Sequence, residues 1–339
     1  MEPAKLYTNL KVGKPVDATI EITGEVPAPI LEVHRKEVLE KVKHGLEVPG
    51  FRKGNVPEAV VLKHVNMNHV LEDAAEEALN TAYPAIIDEY KLAPQSAPRI
   101  TLVKLALGSP LEFKMSIAVE PEVTPPNYKK IAAAVKAKAK PVEVTERDVD
   151  EVLGQLLTMR SSEGAKTELT DEFVKTLGKF ENVADFKAKL KENIKTEKED
   201  EARRLRYEEL AQELAAGAKF ALSPLLIEDE VYAAHGRLHR ELEKRKMSAE
   251  EYFKIIKKTE EEYMKEKKEA ITRQLKTKFI LKAIAAKENI KPDEKEVETE
   301  LQHAARHYPN ANPEAFRAYI EEMMANEKTL KFLEEANWK

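Results

Sequence analysis

The residues best placed to do chemistry lie in the stretch Val48-Pro49-Gly50-Phe51-Arg52-Lys53-Gly54-Asn55-Val56-Pro57. At its centre an aromatic ring, a guanidinium and an ammonium follow one another. Gly50 and Gly54 permit backbone angles that other residues avoid. Pro49 and Pro57 fix φ and remove backbone donors, which stiffens the stretch from both sides. A loop of this composition is a shaped tip, and an apolar ring beside two cations suits adhesion to a partner. Local charge points the same way. From Lys41 to His64, five cations (Lys41, Lys43, Arg52, Lys53, Lys63) stand against Glu47 and Glu58, a net of +3 in a chain of net charge −5. Such a patch attracts phosphate or carboxylate. Residue types alone leave two readings open: docking, or a turn carrying a half-buried Phe51.

Other constellations carry less. His235 with His239, and His303 with His307, are i,i+4 pairs that can present two imidazoles on one helix face. Neither has an H-E-x-x-H pattern, a cysteine or a third ligand at a telling spacing, so solvated helix faces are expected and no metal. Met264, Met323 and Met324, with Tyr232, Phe253, Tyr263, Phe316 and Tyr319, offer soft apolar surface for unfolded chains. For any single one of them helical spacing favours core, and the client-binding reading belongs to the surface as a whole. No nucleophile–base arrangement is present, and no G-K-[ST] follows Gly50 and Gly54 to make a phosphate loop. Carboxylates are spread among lysines, which is solvation and not acid–base catalysis. No cofactor and no ATP dependence are expected.

The elements that must position these residues follow from composition and period. The chain has 339 residues, long enough for two or three domains. It is 35% charged, against about a quarter in a typical globular protein, with 11 glycines and few aromatics. That mixture predicts mostly helical structure with solvated faces. An acidic balance does not argue for a general nucleic-acid binder, so any basic contact is local. The absence of cysteine excludes disulfides and thiolate metal sites and fits a reducing cytosol. No apolar h-region at Met1-Glu2-Pro3-Ala4-Lys5 and no 18-residue apolar run predict neither signal peptide nor membrane span.

Residues 6–28 alternate as two strands, with Gly13-Lys14 as the expected turn. Helical spacing runs from Pro29 to the loop. After Pro57 one longer helix is expected to about Ile87, with Pro84 inside it. Arg99–Leu105 and Pro110–Val119 pattern as a second strand pair around Gly108-Ser109. The unit is β-β-α-loop-α-β-β over residues 1–118. Residues 119–144, rich in Pro, Lys and Val, are expected to be an extended linker. From Thr145 to 339 the chain is helix after helix. Its start signals are Thr145…Asp148, Ser223-Pro224, Ser248…Glu251, Thr259…Glu262, Asp293…Glu296 and Asn312-Pro313. Thin apolar stripes suit extended helical arms.

With the loop and its setting in view, the chain resembles the bacterial trigger factor family of ribosome-associated chaperones. The carrying residues are Gly50-Phe51-Arg52-Lys53-Gly54-Asn55-Val56-Pro57, which match the family's G-F-R-x-G-x-x-P signature. Pro121…Tyr128-Lys129, Glu168 to Val174 with Leu177-Gly178, Ser223 to Glu230, and Glu288-Asn289-Ile290-Lys291 with Glu296-Val297 fall in the family's order. The resemblance implies an α+β ribosome-binding domain over 1–118 and a mainly α-helical, client-binding cradle over 145–339. It also implies docking by Gly50, Phe51, Arg52, Lys53, Gly54 and Pro57 on a large-subunit protein and adjacent rRNA at the exit tunnel. Nascent polypeptides are the implied clients, with Tyr232, Phe253, Met264, Phe316, Met323 and Met324 as candidate contacts. The implied setting is cytoplasmic, with a homodimer off the ribosome. One departure is large. The family's FKBP-type prolyl-isomerase domain has only about seven polar residues in its place, between about 160 and 168. The chain therefore resembles a trigger factor without that domain, and isomerase activity is not expected. Two rivals remain: a prolyl isomerase by inheritance, and a ribosome-independent helical scaffold or assembly factor.

Overall fold

The computed structural model describes residues 5–49, 51, 56–160, 169–307, 312–336 and 338. It begins with two strands, β1 (Thr8–Val12) and β2 (Thr19–Val26). Along β2, Ile20, Ile22 and Val26 are buried and Glu21 and Thr23 are exposed, the period of two that one covered sheet face requires. The turn lies at Asp17-Ala18, not at Gly13-Lys14. Val16 and Thr19 exchange two hydrogen bonds of 2.9 Å around Asp17 (φ 47°) and Ala18 (φ 52°). Positive φ at both central residues is the hairpin geometry that matches strand twist. Gly13 extends the ladder, donating its N–H to Glu21 O at 2.8 Å. A Cβ there would stand 3.1 Å from the same oxygen, so close approach and not turning explains this glycine.

Next come α1 (Ala28–Gly45), α2 (Glu58–His64), α3 (Met67–Tyr90), β3 (Arg99–Lys104) and β4 (Leu111–Ala118). The single helix expected after Pro57 is two. Val65 is extended (φ −113°, ψ 146°), and Asn66 caps α3 by accepting the Asn68 N–H at 3.0 Å. A capping side chain restarts the helix where apolar spacing alone shows no break. Pro84 sits within α3, which continues past it to Tyr90. The sheet is antiparallel in the order β1-β2-β4-β3. Its core joins Ile22, Val26, Phe113, Met115 and Ile117 to Ala74, Ala78, Leu79 and Ile86 of α3 and to Leu31 and Val38 of α1.

The rest is helical: α4 (Tyr128–Lys138), α5 (Glu146–Arg160), α6 (Asp171–Leu177), α7 (Val183–Ala216), α8 (Pro224–Lys244), α9 (Ala249–Ile256), α10 (Glu260–Lys287), α11 (Glu294–His307) and α12 (Pro313–Glu335). Helix α4 lies inside the stretch expected to be extended. Asn127 caps it, and Tyr128, Ala132 and Val135 are buried at helical spacing. Alanine and lysine are strong helix formers once a cap and a packing face exist. Most start signals act as expected. Ser248 and Glu251 form a reciprocal box, as do Thr259 and Glu262. Asp293 caps in one direction only, since Glu296 pairs instead with Lys328 at 2.7 Å. Ser223 precedes α8 without capping it; its buried hydroxyl meets Thr19 Oγ1 at 2.8 Å.

Contacts divide the chain into two units. One gathers residues 1–123 with 219–275, and the other 124–218 with 276–339. In the first, α8 packs on β4, and Arg99 pairs with Glu228 at 2.9 Å. In the second, α7 is the organiser: α4, α5 and α6 all pack on it, and α4 also meets α12. A small core of Val149, Leu153, Val174, Phe186 and Ile194 joins α5 and α6 to α7.

Candidate functional site

The two ends of the loop are anchored. Val48 and Val56 are buried members of the sheet-side core, at 8% and 1% exposure. Between them, the Phe51 N–H donates to Val48 O at 3.1 Å, which closes a turn with Pro49 at its favoured position. Phe51 itself is exposed. Burying that ring in a partner's pocket is worth about 2 kcal/mol. Pro57 starts α2, and its carbonyl accepts from the Val60 and Val61 N–H groups at 2.8 and 3.0 Å. Gly50, Arg52, Lys53 and Gly54 lie outside the described residues. The surrounding charge is narrower than composition suggests. Lys41 Nζ is 2.5 Å from Glu77, and Lys43 Nζ is 3.1 Å from Glu40. Both lysines are matched by acids on α1 and α3, so by formal charge Arg52, Lys53 and Lys63 stand against Glu47 and Glu58, an excess of one.

The six candidate client contacts belong to both units. Tyr232 on α8 is 81% exposed. Phe253 is buried, with the Tyr252 and Tyr263 rings 5.5 and 5.7 Å from its own. That aromatic cluster holds α9 to α10 and removes Phe253 from any exposed client surface. Met264 is half-buried. In the second unit, Phe316 is half-buried and its ring stacks with that of exposed Tyr319, centroids 6.5 Å apart. Met323 and Met324 line a groove between α11 and α12, flanked by Thr299, Glu300 and Lys328.

Spacing missed an apolar recess. It lies in the second unit, has a volume of about 200 Å3, and is walled by Ala132, Val135, Tyr207, Leu210 and Leu333. At its edge Arg206 donates to Glu334 Oε1 at 2.6 and 2.9 Å. Burial, and next the Glu334 carboxylate, push the Tyr207 phenol up to about 12, so it stays protonated at neutral pH. Three helices contribute (α4, α7 and α12), and no period within one helix reports a recess shared by three. Such a recess can take one apolar side chain and offer polar groups at its rim.

Among the histidines, His235 and His239 bring their Nε2 atoms to 3.1 Å. The side chain of His307 lies outside the described residues. The third group beside the first pair is Glu260, which spacing did not reveal because it is 25 residues away.

Comparison with known proteins follows the same two-part order. A family model described as "Bacterial trigger factor protein (TF)" matches residues 8–156, and one described as "Bacterial trigger factor protein (TF) C-terminus" matches residues 182–335. The trigger factor of Carboxydothermus hydrogenoformans is 24% identical over 418 aligned positions, covering 94% of this chain and 96% of that protein. The trigger factor of Moorella thermoacetica is 22% identical, covering 92% and 91%. That of Natranaerobius thermophilus is 32% identical over 137 residues, 40% of this chain. The 418 positions exceed the 339 residues here, so the Carboxydothermus protein carries residues that face gaps in this chain. A solved structure of a trigger factor chaperone, described for promiscuous substrate recognition in folding and assembly activities, shares the fold. Its TM-score is 0.57 at 16% identity, over 97% of this chain and 99% of that one.

Proposed function

This chain belongs to the bacterial trigger factor family, and from that membership we propose that it is a ribosome-associated, ATP-independent chaperone that holds nascent polypeptides at the exit tunnel. The observation that carries the docking part is the exposed Phe51 on a segment whose two ends, Val48 and Val56, are locked into the core. Core anchoring at Val48 and Val56 holds the exposed ring between two fixed ends, and Arg52 and Lys53 follow it in sequence. Residues 1–118 are the docking part, and 145–339, together with α4 where it packs on α7 and α12, the client-binding part. Docking uses Gly50, Phe51, Arg52, Lys53, Gly54 and Pro57 against a large-subunit protein and adjacent rRNA. A contact this small is weak and reversible. Client contacts are the α4–α7–α12 recess, the Met323–Met324 groove and exposed Tyr232, each worth little alone. Weak contacts let a folding client leave without an energy source. No helix among the described residues is long and apolar enough to cross a membrane. The proposed setting, from family membership, is the cytoplasm. Off the ribosome the chain forms a homodimer.

The chain is not a prolyl isomerase in this reading. Only residues 157–181 separate the two family matches. A folded domain takes about 50 residues or more. Two experiments separate the rival readings. Phe51→Ala, Arg52→Ala and Lys53→Ala together are expected to reduce co-sedimentation with ribosomes at least tenfold. Unchanged pelleting sinks the docking claim and leaves the ribosome-independent scaffold. Catalysis of proline-peptide isomerisation by the purified chain would restore the enzymatic reading.

A further inference from the structure

Two imidazoles and a carboxylate converge within the sheet-containing unit. His235 and His239 stand one turn apart on α8, both half-buried, and Glu260 is the first residue of α10. His235 Nε2 lies 2.8 Å from Glu260 Oε1 and 3.1 Å from His239 Nε2. The rings meet edge to face, with centroids 4.4 Å apart.

One proton on His235 Nε2 cannot serve both neighbours along straight bonds. His235 Nε2 holds either one N–H or one lone pair. With a proton it can donate along one direction, to Glu260 or to His239. Without one it can accept from His239, but its lone pair then faces a carboxylate oxygen at 2.8 Å. A cation placed among the three atoms satisfies all of them at once. We propose that His235, His239 and Glu260 form a binding site for a divalent transition metal of the zinc class.

The geometry fits. Tetrahedral bonds of about 2.0–2.1 Å put neighbouring ligand atoms roughly 3.3 Å apart. The three ligand atoms lie within 4.8 Å of one another, and the two contacts above are 2.8 and 3.1 Å. Imidazole nitrogen selects against calcium and magnesium, which take oxygen ligands. Three protein ligands leave a fourth position for water. Glu260 is held in place by the Thr259–Glu262 capping box beside it, with bonds of 2.8 and 3.1 Å. The bound ion ties α8 to the start of α10 across short α9. A second cluster, His34 with Glu37 and Glu77, differs in two ways: it has one imidazole, and Lys41 already occupies Glu77 at 2.5 Å.

The test uses the full chain without an affinity tag, stripped with a chelator. It is dialysed against Zn2+ for metal analysis and titrated separately with Co2+. One Zn2+ per chain is expected, and Co2+ should give the intense visible bands of a four-coordinate ion. His235→Ala, His239→Ala and Glu260→Gln should each weaken binding at least tenfold and remove those bands, while His34→Ala leaves both unchanged. Helical circular dichroism confirms that each variant is folded. The proposal is overturned if the unaltered chain binds no Zn2+, if the His235→Ala, His239→Ala double variant binds it equally well, or if His34→Ala is the change that abolishes binding.

Discussion

Asp148 shows how much one exposed carboxylate can be asked to do. It accepts from the Thr145 N–H at 2.8 Å and the Thr145 hydroxyl at 2.9 Å, and it pairs with Lys198 at 2.7 Å. The Lys198 ammonium first, and then the Thr145 donors, hold its carboxyl down at about 2, below its ordinary value of 3.8. A depressed value in the folded state stabilises the fold above pH 3.8, and that contribution is lost as pH falls towards 2. Asp148→Asn is therefore expected to lower the unfolding midpoint at pH 7 and to leave it nearly unchanged at pH 2. Equal shifts at both pH values would refute the assignment. The cap itself was legible, because Thr145 and Asp148 stand three apart ahead of an apolar stripe. Lys198 was not, since it comes from α7, fifty residues on. The same limit explains the loop. Phe51 as an exposed ring could be read from its glycine and arginine neighbours. The pairing of Lys41 with Glu77 could not, because it depends on α1 and α3 lying side by side.

At the scale of elements, local chemistry that resembles a rule can serve another purpose. Gly13-Lys14 has the composition of a turn, yet Gly13 is needed for close strand approach and the turn falls on Asp17-Ala18. Alanine at φ 52° is strained, because its Cβ crowds the following carbonyl at a cost of about 1–2 kcal/mol. Glycine relieves that strain but gives back part of it as entropy in the unfolded chain. Ala18→Gly should therefore stabilise the sheet-containing unit by roughly 0.5–1 kcal/mol in denaturant titration. No gain, or a loss, would show that this turn is not the one the sheet uses. Helix starts were the most readable elements, since a cap is decided within four residues. Packing partners were the least. Residues 119–144 have a linker's composition, but α4 forms there because Tyr128, Ala132 and Val135 have α7 and α12 to pack on.

For the whole molecule, the residues proposed to dock and those proposed to hold clients are largely distinct. The loop belongs to the unit that contains the sheet, and the recess of Val135, Tyr207, Leu210 and Leu333 belongs wholly to the other. They share no side chain. Each function should then be removable without the other. The chain altered at Phe51, Arg52 and Lys53 should still suppress aggregation of a denatured client in ribosome-free solution, to within about twofold of the unaltered chain and without nucleotide. Conversely, Leu210→Glu places a charge in the recess wall, where an unpaired carboxylate costs several kcal/mol to bury. The Val135→Ser change is a milder disturbance of the same wall. Both should weaken suppression while ribosome co-sedimentation stays intact. The ordering is diagnostic: Leu210→Glu should act more strongly than Val135→Ser at matched helical content. If the loop changes abolish suppression in free solution, docking and holding are one activity, and the separation of the loop from the recess is wrong.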